Sequence, residues 1–252
     1  MSKNIQVITI DFWNTLFDSS NGIERNNFRL QKLKSAFETL GLSIPDSEYE
    51  KAMQDAWEYF NNIWRNEQRT ISTYDALLFF WDYFKAPKAE SLIQEVTATF
   101  EQSILIYPPK LIDGVSETLD ALSKKYKLAI VSDTGFSPGN VLRELLKLHK
   151  IYDFFSAFSF SNETGVAKPH PKAFNTVLNY LNCPPEKAVH IGDIEETDIF
   201  GAKKLNMFAI RFIGNHLDFL NEDAELHTIA DYIAKSWCEI PKIVQLIEKS
   251  NE

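Results

Sequence analysis

Short apolar segments alternate with helical segments along most of this chain, and this alternation constrains the fold more than any other feature. Five segments have the length and apolar content of buried strands, at residues 5–10, 126–131, 154–160, 188–191 and 207–212. Amphipathic helical periodicity separates them. Because alternating strands and helices favour right-handed crossovers between parallel strands, the sequence predicts an α/β fold with a doubly wound, Rossmann-like parallel sheet.

One long helical stretch interrupts the alternation directly after the first strand. Apolar side chains recur there at helical spacing, and turn-forming residues divide the stretch into about four helices. We therefore expect an all-helical domain at 19–107, inserted into a core domain made of 1–18 and 108–252. Its many aromatic residues either form the core of the helical bundle or line a substrate pocket: Trp57, Tyr59, Phe60, Trp64, Phe79, Phe80, Trp81, Tyr83 and Phe84.

Composition narrows the classes of partner. The net charge of −9 argues against nucleic acid and anionic membranes, which attract basic surfaces. No apolar run reaches the ~18 residues needed to span a bilayer. Cys183 and Cys238 have neither disulfide-framework nor metal-site spacing, so we expect a cytoplasmic protein. The segment 231–248 has helical periodicity, His190 is expected in the core and His170 at the surface, while the oligomeric state stays open.

Polar residues follow the predicted strands at positions that the carboxyl ends of a parallel sheet would bring together. Asp11 follows the first strand, Ser132 ends the second, and Asp193 follows the fourth. Lys168 precedes a predicted helix, and Asp198 begins another. A carboxylate nucleophile that attacks phosphorus requires further carboxylates for Mg²⁺, a cation to balance charge, and hydroxyl donors for the phosphoryl oxygens. The sequence therefore predicts a phosphoryl-transfer site centred on Asp11.

The same positions resemble the four motifs of the haloacid dehalogenase superfamily, most of whose members are Mg²⁺-dependent phosphohydrolases. In chain order the motifs correspond to residues 11–15, Ser132, Lys168-Pro169 and 192–198. The first matches the family pattern Asp-x-Asp-x-Thr at its first and last positions, and the fourth matches Gly-Asp followed by a later acid. The motifs occur in the family's order across residues 7–212, and the helical insertion lies where the family places a C1-type cap.

The resemblance implies roles for the matched residues and their neighbours. The expected catalytic residues are Asp11, Ser132 and Lys168. The expected metal ligands are Asp11, the backbone carbonyl of Trp13, Asp193 and Asp198. The expected substrate-binding residues are Asn14, Ser132, Asp133 and Lys168. The implied cofactor is Mg²⁺, and the implied partner is a small phosphorylated metabolite that forms an aspartyl-phosphate intermediate.

Trp13 departs from the family pattern, because a second Asp normally stands there as the general acid/base. An indole N–H only donates and does not titrate near neutral pH. General acid–base help is typically worth ~10²–10⁴-fold in rate. Efficient phosphatase turnover would then depend on another group, for which the candidates are Glu24, Lys32, Asp133, Glu195 and Glu196.

Three functions therefore stay open at this point. A Mg²⁺-dependent phosphohydrolase agrees with Asp193 and Asp198, whose clustered carboxylates call for a cation. A 2-haloacid dehalogenase agrees with Trp13, because halide leaves without a proton and such relatives carry an aromatic residue at this position. A non-catalytic phosphate-binding or regulatory protein would keep the ligands and lack the acid/base. The retained Asp11 and Lys168 count against the third function.

Overall fold

A six-stranded parallel sheet forms the centre of the structure, a computed structural model that describes residues 4–214 and 227–249. The predicted core domain, residues 1–18 and 108–252, includes residues 1–3, 215–226 and 250–252, which lie outside the described ranges. The strands are β1 (Val7–Ile10), β2 (Lys127–Ser132), β3 (Phe155–Phe160), β4 (Ala188–Gly192), β5 (Phe208–Phe212) and β6 (Tyr232–Ala234). Their order is β3-β2-β1-β4-β5-β6, and each neighbouring pair is parallel. The predicted α/β class and parallel sheet are confirmed.

A group of helices follows β1 before the chain returns to the sheet. It consists of α1 (Gly22–Thr39), α2 (Asp46–Asn62) with a π-helical extension (Ile63–Glu67), α3 (Thr73–Tyr83) and α4 (Glu90–Ile106). These helices bury a cluster of their own, in which the rings of Phe37 and Trp81 lie 4.7 Å apart. Ser72 caps α3 by accepting a hydrogen bond from the Asp75 N–H. The inserted all-helical domain is confirmed, and its limits at 19 and 107 stay a prediction.

Helices cover both faces of the sheet. They are α5 (Val115–Ser123), α6 (Gly139–Leu148), α7 (Ser161–Thr164), α8 (Pro171–Tyr180), α9 (Phe200–Lys204) and α10 (Ile240–Lys249). Successive strand residues point to opposite faces. Ile8 and Ile130 accordingly join the cluster that includes α5, α6 and α10, whereas Val7 and Ala129 join the cluster with α8 and α9. Among the described residues, no helix has the length and apolarity needed to cross a membrane.

The C-terminal segment differs from the predicted helix over 231–248. Tyr232–Ala234 forms the edge strand β6, and α10 begins only at Ile240. A strand of three residues leaves no periodic signal in the sequence, whereas pairing with it satisfies backbone groups of β5 that would otherwise be open. Trp237, just before α10, is fully buried, and its indole donates to the Thr15 carbonyl at 2.7 Å. This hydrogen bond ties the segment to the turn after β1.

Candidate active site

Asp11 lies at the carboxyl end of β1, in the middle of the sheet, and is only 3% exposed. Its backbone N–H donates to the Ile191 carbonyl at 2.9 Å, which continues the pairing of β1 with β4 by one residue. The chain then turns tightly, with Asn14 at a φ of 54°. The half-buried indole of Trp13 lies edge-on to the Phe12 ring at 5.2 Å. The turn thereby places Asp11, Trp13 and Asn14 on the wall of one cavity.

Lys168 joins side chains from three separate parts of the chain. Its Nζ donates to Asp11 Oδ1 and, at 2.6 Å, to Asp198 Oδ1. Its backbone N–H donates to Asp133 Oδ1 at 2.9 Å. The ammonium is buried, so both ion pairs are largely shielded from water. The structure thus brings Asp11, Lys168 and Asp198 together at one edge of the sheet.

Asp198 accepts hydrogen bonds through both carboxylate oxygens. Its donors are Lys168 Nζ (2.6 Å), His190 Nε2 (2.9 Å), the Ile194 N–H (3.2 Å) and Thr197 Oγ1 (3.3 Å). The carboxylate also lies against Gly192, where an added Cβ would come within 2.4 Å of the Asp198 side chain. The glycine of the Gly-Asp pair therefore makes room for Asp198, and the four donors fix Asp198 as an anchor for Lys168.

The two histidines singled out in the sequence have structural partners. His190 is fully buried, its Nδ1 lies 2.9 Å from Thr9 Oγ1, and its Nε2 donates to Asp198. It is therefore a satisfied core histidine, as expected. His170 is partly exposed and caps α8, because its Nδ1 accepts from the Lys172 N–H at 3.1 Å.

Burial and charge act against each other at this site. Burial raises the pKa of Asp11 to about 7, with the charge of Asp198 adding to the shift and Lys168 opposing it. Burial also opposes ionisation of Asp198, but Lys168 and the hydrogen bond from His190 outweigh it and hold the pKa of that carboxyl well below its usual range. Burial lowers the pKa of Lys168, yet the nearby carboxylates outweigh it and raise this pKa overall. One ammonium thus serves several carboxylates.

The surplus of negative charge makes the site suitable for a divalent cation. Carboxylate oxygens of Asp11, Asp193 and Asp198 lie within 4.8 Å of one another, and all three side chains are buried. Hard oxygen ligands of this kind are what Mg²⁺ prefers. Because Asp198 already accepts from four donors, Asp11 and Asp193 fit the role of direct ligands better. The donor set therefore fits the implied metal.

Ser132 and Asp133 occupy different positions although they are adjacent. Ser132 is buried at the end of β2, and its hydroxyl donates to the Asp133 carbonyl at 3.2 Å. The cavity wall begins one residue later, at Asp133. Asp133 accepts from the Lys168 N–H through Oδ1 and from the Trp64 indole through Oδ2 at 2.8 Å. Burial raises the pKa of the Asp133 carboxyl, and Lys168 and Trp64 oppose the shift.

A cavity of about 620 Å³ lies over these residues, between the sheet edge and the helical insertion. Its size is within the range of about 300–1,000 Å³ that is usual for sites of small ligands. The insertion contributes both aromatic and cationic side chains to the wall, among them Arg25, Arg29, Trp57, Phe60 and Trp64. The aromatic residues thus divide between a pocket lining and a bundle core. Trp57, Phe60 and Trp64 line the cavity, whereas Phe80 and Trp81 are buried in the core of the bundle. The two arginines gave no motif signal in the sequence.

The candidate substitutes for the missing acid/base are mostly remote from the cavity. Glu195 accepts hydrogen bonds from Arg211, Thr228 and Ile229, which fixes it in a structural network. Three other candidates are exposed and do not line the cavity: Glu24, Lys32 and Glu196. Asp133 is the candidate that lies on the cavity wall.

Trp64→Phe is expected to weaken the attachment of the insertion to the core, because it removes the indole donor to Asp133. An unsatisfied buried acceptor costs about 1–3 kcal/mol, and because Asp133 is partly buried we expect the lower end of that range. In a protein of this size each 1 kcal/mol shifts Tm by about 2–4 °C, so we expect Tm to fall by about 3 °C or more. Trp57→Phe is the matched control, because Trp57 is 68% exposed and should lose under about 1 °C. If Trp64→Phe and Trp57→Phe had the same Tm, the hydrogen bond from Trp64 to Asp133 would not contribute to stability.

Comparisons with known proteins agree with this geometry. A family model described as haloacid dehalogenase-like hydrolase matches residues 5–206. The chain is 32% identical over 143 residues to glyceraldehyde 3-phosphate phosphatase from Pyrococcus furiosus, an alignment that covers 56% of this chain and 55% of that protein. The aligned part thus spans about half the length of that relative.

Two solved structures share the fold across nearly the whole chain. 2-Haloacid dehalogenase from Pseudomonas syringae has a TM-score of 0.69 at 20% identity and covers 96% of this chain and 98% of its own. The HAD-hydrolase YfnB from Bacillus subtilis, bound to magnesium, has a TM-score of 0.63 at 18% identity and covers 96% and 99%. Because the family model matches most of its length, the chain belongs to the haloacid dehalogenase-like hydrolase family.

Proposed function

We propose that this protein is a Mg²⁺-dependent phosphohydrolase of small phosphorylated metabolites, with Asp11 as the nucleophile. The observation that carries the proposal is the buried bridge of Lys168 between Asp11 and Asp198 on the wall of the cavity. A nucleophilic carboxylate requires a fixed cation nearby, and this bridge supplies one. The phosphatase name of the Pyrococcus furiosus relative supports the same reaction class.

The reaction proceeds in two displacements at phosphorus. An oxygen of Asp11 attacks the phosphorus, the bond to the ester oxygen breaks, and the alcohol leaves with a proton taken from solvent water. Water then attacks the phosphorus of the acyl-phosphate, which releases inorganic phosphate, restores the Asp11 carboxylate and frees a proton. Lys168 stabilises charge on Asp11 and on the phosphoryl oxygens, and Asp198 is the positioning residue for Lys168.

The remaining residues have supporting roles in the proposal. Asp11 and Asp193, with the backbone carbonyl of Trp13, would hold Mg²⁺, which supplies positive charge to the phosphoryl oxygens when bound. Asn14 and Asp133 line the cavity as candidate substrate contacts. Ser132 would reach a phosphoryl group after its hydroxyl turns away from the Asp133 carbonyl. The cytoplasmic location stays a prediction.

Trp13→Asp is expected to increase phosphatase activity, because it places a titratable group beside the nucleophile. Part of the ~10²–10⁴-fold typical of general acid–base catalysis should return, so we expect kcat to rise about tenfold. The gain should be greater for glycerol 3-phosphate than for p-nitrophenyl phosphate, whose leaving group needs less protonation. Trp13→Phe is the control for loss of indole volume. A gain in Trp13→Phe equal to that in Trp13→Asp would contradict acid/base rescue.

Trp13 also favours a second candidate, hydrolysis of 2-haloacids. The same Asp11 oxygen would attack carbon, and halide would leave without a proton. Water would then cleave the ester and release the 2-hydroxy acid. The structural neighbour from Pseudomonas syringae is named a dehalogenase of this kind. Asp193 and its neighbouring carboxylates favour the phosphatase, because displacement of halide needs no divalent cation.

A single screen separates these functions. Phosphate release from a set of phosphorylated metabolites, and halide release from 2-chloropropionate, are measured with Mg²⁺ and with EDTA. Metal-dependent phosphate release is the expected result. Metal-independent halide release would replace the proposal with the second candidate. Absence of both reactions, together with saturable binding of inorganic phosphate, would instead indicate a non-catalytic phosphate-binding protein.

A further inference from the structure

Arg29 is held rigidly on the part of the cavity wall that the insertion forms. It lies within α1, and its Nε donates to Ser103 Oγ on α4 at 2.8 Å. Its Nη1 donates to Asn26 Oδ1 at 3.3 Å, and its guanidinium carbon lies 4.9 Å from the centre of the Phe136 ring. These contacts fix the guanidinium plane and leave Nη2 without a hydrogen-bond partner among residues 4–214 and 227–249.

The charge of Arg29 is not balanced by a carboxylate. Within the described part of the chain, no Asp or Glu lies at salt-bridge distance from it. Burial and the positive charge of Arg25 lower the pKa of Arg29 to about 10, which leaves it fully charged at neutral pH. Arg29 is partly buried in the cavity wall, and a cation that has lost part of its hydration without gaining a counter-ion is costly unless a ligand supplies the opposite charge.

Arg25 adds positive potential to the same wall and has a structural task of its own. Its Nη1 donates to the carbonyls of Ser20 (3.0 Å) and Tyr107 (2.7 Å), which lie at the two connections between the insertion and the core. The negative charges of Asp18 and Glu24 raise the pKa of Arg25 against the effect of burial, whereas no described acid has this effect on the pKa of Arg29. Arg29 is therefore the cation of this pair that is available to a ligand.

We propose that Arg29 binds a second anionic group of the substrate, and that the substrate is a small phosphate ester that also carries a carboxylate or another phosphate. This inference rests on the proposed function, since it places the scissile phosphate at Asp11. The same cavity is lined by Asp11 and Lys168 from the core and by Arg29 from the insertion. With Nε and Nη1 already donating, Nη2 is the nitrogen left to donate a charge-assisted hydrogen bond to a carboxylate or phosphate oxygen. An ester with a neutral tail would leave this cation unpaired.

The test compares substrates that differ at one group. Glyceraldehyde 3-phosphate carries an aldehyde at C1, 3-phosphoglycerate carries a carboxylate there, and glycerol 1,3-bisphosphate carries a second phosphate on that carbon. We expect the wild type to prefer the two substrates with a second anionic group over the aldehyde by about tenfold or more in kcat/KM, and Arg29→Met to reduce that preference by about tenfold. Lys32→Met is the matched control, because it removes an exposed cation from α1 that does not line the cavity. Its preference should match the wild type.

A binding measurement separates this inference from the proposed function. Calorimetry with 3-phosphoglycerate and Mg²⁺ is performed on Asp11→Asn, with and without Arg29→Met, and Arg29→Lys tests retention of charge without the planar fork. Suppose that Asp11→Asn binds 3-phosphoglycerate tightly only when Arg29 is present, and that the wild type hydrolyses none of the three substrates. That result would support the anionic subsite and overturn the proposed phosphatase function. Turnover with the same preference in wild type and Arg29→Met would overturn the subsite and keep the phosphatase. A wild type that prefers the aldehyde would also overturn the subsite.

Discussion

Asp11→Asn is expected to abolish turnover, with a loss in kcat of about 10⁴-fold or more, because the amide cannot act as the nucleophile. The fold should persist, since Asn has nearly the same volume and the substitution removes a buried negative charge. Burial raises the pKa of Asp11 to about 7, so the protein environment disfavours the ionised carboxylate that the substitution removes. The measurement is steady-state phosphate release together with a thermal unfolding curve.

Asp113→Asn is the matched control for Asp11→Asn. Asp113 is exposed on the core domain, and the same chemical change there should leave both kcat and Tm at wild-type values. Because the dehalogenase reaction would use the same carboxylate, we expect Asp11→Asn to abolish either phosphatase or dehalogenase activity. Undiminished turnover in Asp11→Asn would show that Asp11 is not the nucleophile in either reaction.

Lys168→Met is expected to damage stability and catalysis together. Without the ammonium, the buried carboxylates of Asp11 and Asp198 face each other with no cation between them. Removing one member of a buried ion pair costs about 3–5 kcal/mol, which corresponds to a fall in Tm of roughly 10 °C for a protein of this size. Loss of charge stabilisation should also reduce kcat by about 10²-fold or more. Thermal unfolding and initial rates measure the two effects.

Added Mg²⁺ gives this experiment a sharper form. A divalent cation between the carboxylates should replace part of the missing charge, so we expect Mg²⁺ to raise Tm more in Lys168→Met than in the wild type. Lys172→Met is the control, because Lys172 is exposed and its Nζ donates to the neutral Thr164 carbonyl. If the two variants had the same Tm, the bridge would not contribute to stability.

Local sequence pattern determined the sheet and the positions of its terminal polar residues. A parallel strand that is buried on both faces has an almost continuous apolar sequence. The first polar residue after the apolar run marks the end of the strand, as Asp11 and Ser132 do for β1 and β2. The helical insertion was also evident from local signals, because apolar residues recur there at helical spacing between turn-forming residues. The short edge strand β6 gave no such signal, because only its pairing with β5 makes it a strand.

The sequence by itself thus determined the class of fold, the insertion, and a set of acids with one lysine at the sheet edge. Only the tertiary structure decided what surrounds them: the four donors to Asp198, the Trp64 indole on Asp133, and Arg29 in the cavity wall. The physical reason is that strand ends are fixed by the chain's own pattern. The direction of a side chain from an inserted helix depends instead on how that helix crosses the core, which no local pattern encodes.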